Sequence, residues 1–149
     1  MSATTTFDQK SSLSLSKLAI FGAIAGLAGG MVFGMMMAMM GMLPMVAMLV
    51  GQESAIVGFI VHMMISAFIG AVYGVVVGQL PLTTKFALIG GVVNGIVWWV
   101  LGALILMPLM LGMSQMVFVI GSDQWLSLMG HIIYGLVTAF VFIPLAKRN

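Results

Sequence analysis

The sequence predicts an all-α fold: an integral membrane bundle of four transmembrane helices. Three observations carry that prediction. The chain of 149 residues is 62% hydrophobic and only 5% charged, whereas soluble domains need about 25% charged residues to present a water-facing surface. Charges and turn residues cut the chain into four apolar stretches, each near the roughly 20 residues a helix needs to cross the hydrocarbon core. All five Lys and Arg residues fall on one side of the resulting scheme.

The elements follow in order. A polar Ser- and Thr-rich stretch, residues 1–16, is expected to be a flexible cytosolic tail. The transmembrane domain, residues 17–149, follows it. Its first apolar run, about Leu18 to Leu43, is far longer than the core of a cleaved signal peptide, so it reads as a retained span interrupted by Pro44. The second span runs from about Ala55 to Gly78, and the polar turn Gln79 to Lys85 closes it. The third covers about Phe86 to Met107, with Pro108 at its end. The fourth covers about Trp125 to Leu145 and is closed by Lys147 and Arg148. Helices are required because unpaired backbone groups in lipid cost several kcal/mol each, and the runs are too long and too unalternating for barrel strands.

Lys10 and Lys17 precede the first span, Lys85 lies between the second and third, and Lys147 and Arg148 follow the fourth, while the other two connections carry only Glu53 and Asp123. The excess of basic residues on cytoplasmic loops then puts both termini in the cytosol. A net charge of +2 gives no basis for nucleic-acid binding, and the absence of cysteine removes disulfides, thiolate metal sites and cysteine nucleophiles. The two connections without basic residues each begin at a proline and run through apolar residues too few to cross and return; they read as broken helix ends or interfacial elbows.

The halves share a plan: glycine-rich helix, proline, apolar elbow, acidic residue, helix with one histidine. Pro44 matches Pro108 and His62 matches His131, with a second elbow longer by five residues. The plan predicts a tandem repeat of two helical hairpins in parallel orientation, related by a pseudo-twofold along the membrane normal. Small residues recur every fourth position: Gly22, Gly26, Gly30 and Gly34 in the first span, and Gly58, Ser66, Gly70 and Gly74 in the second. Gly91 and Gly95 mark the third, and Ser127, Gly135 and Ala139 the fourth. Such ridges let membrane helices approach closely, so they mark the buried face of each helix.

His62 and His131 both lie on these ridges, nine residues after Glu53 and eight after Asp123. At about 1.5 Å per residue they share a depth roughly 12–14 Å inward from the acidic markers. One expectation is a pair of neutral histidines hydrogen-bonded to carbonyls or to Ser66, Ser127 and Tyr134. The functional alternative is bis-histidine ligation of haem b by His62 and His131, as an electron-transfer or sensor module. Seventeen methionines suggest a third reading, a small copper permease with thioether and imidazole ligands, for which Met35, Met39, His62 and His131 are the candidates. Methionine is also a flexible filler of packing gaps, which is the plainer account of these residues.

Asp123, Ser127 and His131 share a helix face, but a hydrolytic triad needs groups converging from several elements. Asn94 is expected to bond a neighbouring helix, Trp98, Trp99 and Trp125 to pack or to anchor the interface, and Glu53 and Asp123 to cap the helices after them.

The run Gly41-Met42-Leu43-Pro44-Met45-Val46-Ala47-Met48-Leu49-Val50-Gly51, continuing through Glu53-Ser54-Ala55 to Val61-His62, resembles a group of small bacterial four-span membrane proteins. The resemblance covers mainly the first half of the chain. It implies a bacterial inner-membrane location and carries over no residue roles. The sequence thus leads to a non-enzymatic multi-pass protein in the lipid bilayer, acting as a subunit with other membrane subunits or as a homo-oligomer.

Overall fold

The computed structural model describes residues 13–148, and among them there are helices and turns but no strand. The elements are α1 (Leu15–Met39), α2 (Leu43–Ala47) with a 3₁₀ turn at Met48–Val50, α3 (Ala55–Val77), α4 (Thr84–Trp98), a π-helical stretch Trp99–Leu106, α5 (Met107–Met110) and α6 (Ser122–Lys147). α4, the π stretch and α5 run on as one helix, Thr84–Met110. Four helices are therefore long and apolar enough to cross a membrane: α1, α3, α4–α5 and α6. They are the four spans of an all-α membrane bundle.

Local chemistry sets their ends. Ser14 Oγ accepts from Lys17 N at 3.4 Å and Thr83 Oγ1 from Phe86 N at 3.2 Å, each satisfying a helix-start donor. Gly121 N–H donates to Gln124 Oε1 at 2.9 Å at the start of α6. Helix already begins at Leu15, inside the stretch expected to be tail; residues 1–12, with Lys10, lie outside the described residues.

Prolines act differently from expectation. α1 ends at Met39, short of Leu43, because Gly41 takes a left-handed turn at φ +67°. Pro44 then opens α2, where its missing N–H has no partner to lose. Pro108 does not end the third span but lies in its last turns. Pro108 has no N–H to offer the turn before it, and the Leu104 carbonyl accepts from Phe118 N–H of the elbow at 3.2 Å. The longer second elbow is thereby tied down. The fourth span begins earlier and ends later than expected, at Ser122 and Lys147, with Pro144 inside it.

Sequential spans pack antiparallel, so their chain ends share one face of the bundle. Gly22 and Gly26 meet Gly70 and Gly74; a methyl on Gly22 would strike the Gly70 carbonyl and come within 2.8 Å of Gly74 Cα. Gly91 lies against Gly135, and Gly95 against the His131 backbone, in the same manner. The first span also packs closely on the fourth, through Gly29 against Tyr134 and Thr138, and Phe33 over Gly130.

The pseudo-twofold of a repeat would make the second span pack on the third just as the first packs on the fourth. It does not. The second and third spans meet near their short connection, where Tyr73 Oη donates to the Ala87 carbonyl at 2.7 Å and Gly90 faces Val77. Further along they touch through Phe68 and Trp98, ring centroids 6.0 Å apart, and part toward the elbows. At the chain-end half, Leu18, Tyr73, Val77, Ala87, Ala139 and Phe142 form a closed apolar core. At the elbow half, α2 lies on α3 with the Leu43 carbonyl and Ala47 N against Gly58, and Phe33, Met37, Leu43, Val46, Ile69 and Tyr134 form a second cluster.

A candidate ligand cavity with two oriented histidines

Where the second and third spans part, a cavity of about 490 Å³ opens in the elbow half. Its walls are apolar, from Phe33, Met37, Val46, Ile69, Trp98 and Leu106 among others, and a few polar side chains converge on it: His62, Ser66, Asp123, Gln124, Ser127, His131 and Tyr134. An apolar hollow of this size with a few convergent polar groups is the usual form of a small-molecule site. Rim residues Phe68 and Met110 are exposed, so the cavity communicates with the surroundings of the bundle. The chain-end core seals its other end.

His62 lines the cavity from the small-residue ridge of α3, and Gly34 on α1 leaves room for its ring, whose Cδ2 would lie 3.1 Å from a Cβ there. The His62 Nε2 nitrogen lies 3.0 Å from the Gly30 carbonyl and 3.4 Å from Ser66 Oγ. His131 Nδ1 lies 2.8 Å from the Ser127 carbonyl, one turn back on α6, and 3.4 Å from Ser127 Oγ. A carbonyl oxygen only accepts, so each ring places its N–H on that nitrogen; the neutral imidazole then presents the other as a lone pair, Nδ1 of His62 and Nε2 of His131. The structure thus brings together the two histidines of the sequence reading, each bonded to a backbone carbonyl and a serine hydroxyl. Tyr134, expected among their partners, instead donates to the Ser66 carbonyl at 2.7 Å, pinning the fourth span to the second. In lipid such an interhelical bond contributes about 0.6 kcal/mol and up to roughly 2 kcal/mol.

Phe33 sets what can fit beside the rings. Its centroid lies 5.4 Å from that of His62 and 4.9 Å from that of His131, edge-on to both. A macrocycle held by the two imidazoles would need an open slot common to both, and Phe33 stands on that approach, buried against Gly130. The residues do not fit a haem b slotted between His62 and His131.

The proposed copper residues divide. Met35 and Met39 are 59% and 81% exposed on the lipid-facing side of α1 and do not line the cavity. Met37, Met42 and Met107 do line it, and all three turn toward the elbow-half core. Sequence reasoning missed them because a run of adjacent methionines points around the helix, and only its neighbours decide which one is inside. Among the described residues no group of three or more His, Asp or Glu side chains forms a hard-metal site. Asp123 stands exposed in the first turn of α6, a place favourable for a carboxylate. Asn94 does not bond a neighbouring helix as expected; its Nδ2 is buried with no hydrogen-bond partner. Trp99 packs as expected, stacking on Trp125 at 6.2 Å and donating Nε1–H to the Gln124 carbonyl at 3.0 Å, which fixes the rim of the cavity.

No family model, curated protein or solved structure matches this chain. The site stands on its own geometry.

Proposed function

We propose that this chain is a non-enzymatic component of the bacterial inner membrane whose cavity between the second and third spans binds a small ligand. The observation that carries this reading is the cavity itself: about 490 Å³ of apolar-walled space into which two carbonyl-oriented imidazoles project. A bundle built only to fill space would bring the second span onto the third with the same close glycine packing that joins the other pairs. The spans part instead, and the polar groups collect where they part.

The distribution of charge supports an orientation with both termini in the cytoplasm. Lys17, Lys85, Lys147 and Arg148 all sit at the chain-end face, and the elbow face carries only Glu53 and Asp123. The cavity then opens toward the outer half of the bilayer and closes toward the cytosol. Lipid-facing surfaces on all four spans leave room for partners, either copies of this chain or other membrane subunits.

Gly102 supplies the test. It lines the cavity, and a Cβ added there meets nothing within 4 Å, so a larger residue can start from this position without a clash at its first carbon. A small photoreactive lipophile should label Trp98 and its cavity neighbours in the wild-type protein, read by peptide mass spectrometry. In Gly102→Phe that labelling should fall at least about fivefold, the equivalent of roughly 1 kcal/mol, while labelling of the outer helix faces stays constant. Equal labelling of the cavity in both proteins would end the reading.

A further inference from the structure

Two soft kinds of donor, imidazole and thioether, line the cavity beside its hydroxyls, and this narrows the ligand. Both histidines line the cavity and commit an N–H to a backbone carbonyl, so the other nitrogen of each ring carries a lone pair. That is the arrangement of metal-binding histidines, whose second nitrogen is fixed by a carbonyl or carboxylate that sets tautomer and ring orientation. Met37, Met42 and Met107 line the same hollow from three separate segments, α1, the start of the first elbow and the end of the third span, and Met45 and Met110 line it as well. Imidazole nitrogen with thioether sulfur, and no thiolate, is a soft neutral donor set that suits Cu(I) and disfavours Mg²⁺, Ca²⁺ and Mn²⁺. Asp123 at the rim supplies one negative charge to set against a monovalent cation.

We infer that the cavity is a Cu(I) site, with His62 and His131 as nitrogen ligands and Met37, Met42 and Met107 as the thioether donors. This rests on the ligand-cavity reading above and names its ligand. No electron is transferred in the step: a cation already in the Cu(I) state exchanges its carrier for two imidazoles and thioethers. The sealed chain-end core makes the site a terminus in this conformation rather than a through-channel.

The test is a titration of Cu(I), under reducing conditions, against a chromophoric Cu(I) chelator, using the full chain in detergent micelles. One Cu(I) should bind per chain, with both nitrogen and sulfur neighbours in its X-ray absorption spectrum. His62→Gln and His131→Gln should each weaken binding by more than about tenfold. The triple variant Met37→Leu, Met42→Leu, Met107→Leu conserves volume and keeps the packing role of methionine while removing its sulfur; it too should lose more than about tenfold. Met35→Leu with Met39→Leu should change nothing. Absence of binding, binding unaffected by the histidine and cavity-methionine variants, or binding governed by Met35 and Met39 would each overturn the inference. Cavity labelling by the photoreactive lipophile separates the two levels: if it persists while Cu(I) fails to bind, the cavity stands and the metal falls. If both are absent, both readings fall together.

Discussion

At Gly70 the absence of a side chain lets two spans touch. A methyl there would meet the Gly22 carbonyl and lie 2.5 Å from Gly26 Cα, atoms of a backbone that cannot swing aside. Gly102 is the opposite case, with open space where its Cβ would be. Gly70→Leu should therefore destabilise the bundle by about 1–3 kcal/mol, as overpacking of a close contact does. Gly102→Ala should be neutral or stabilise by up to about 1 kcal/mol, since glycine inside a helix carries an entropic cost. Thermal unfolding in detergent separates the two, and equal midpoints for both variants would mean that the glycine ridge does not hold these helices together. The ridge was legible in the sequence because small residues every fourth position leave a helix one face on which neighbours can approach. The company of His62 was legible on the same ground, since Ser66 lies one turn away on that face. The inside methionines were not legible. α1 packs on two partners at once, Gly22 and Gly26 turning to the second span and Gly29 and Phe33 to the fourth, and the direction left to Met37 follows from that double contact.

Among elements, the third span shows how a proline redirects hydrogen bonding without ending a helix. Pro108 has no N–H; the preceding stretch Trp99–Leu106 is wound as π-helix, and the Phe118 amide bonds the Leu104 carbonyl from the elbow. Leu104 is only 2% exposed, so an unmet carbonyl there would be expensive. Pro108→Ala adds an N–H one turn from the Leu104 carbonyl, a donor that can compete with Phe118. Loss of one such bond, worth about 1 kcal/mol, should speed hydrogen exchange at the Phe118 amide by roughly fivefold. Exchange that stays at the wild-type rate would show that the elbow is held by other contacts. The four spans themselves were readable from length and apolarity, but their ends were not. A proline reads as a breaker when only its missing donor is considered, while Pro44 starts one helix, Pro108 lies within another and Pro144 is carried inside a third. What ends α1 is Gly41, whose left-handed backbone is invisible to a hydropathy profile.

The whole molecule is asymmetric where a tandem repeat would be symmetric: the first span meets the fourth closely along its length, whereas the second leaves the third beyond Tyr73 and Ala87. No single-span property encodes that difference. Each helix carries its small-residue ridge, yet the second and third spans meet at mid-height through the large rings of Phe68 and Trp98 rather than through glycines. The cavity was therefore not legible, although both its histidines were. Its functional meaning depends on which way the bundle sits in the bilayer. Every basic residue among the described ones lies at the chain-end face, and both acidic residues there lie at the elbow face, a separation that favours cytoplasmic termini. The chain lacks cysteine, so a single introduced thiol is an unambiguous reporter. Gln52 and Leu80 are exposed in connections at opposite faces. In intact cells a membrane-impermeant maleimide should modify Gln52→Cys and spare Leu80→Cys; in inverted membrane vesicles the pattern should reverse. The opposite result would place the termini outside and turn the cavity toward the cytosol. A soft-metal site would then draw from the cytoplasmic pool, and the sealed core would face the outer medium.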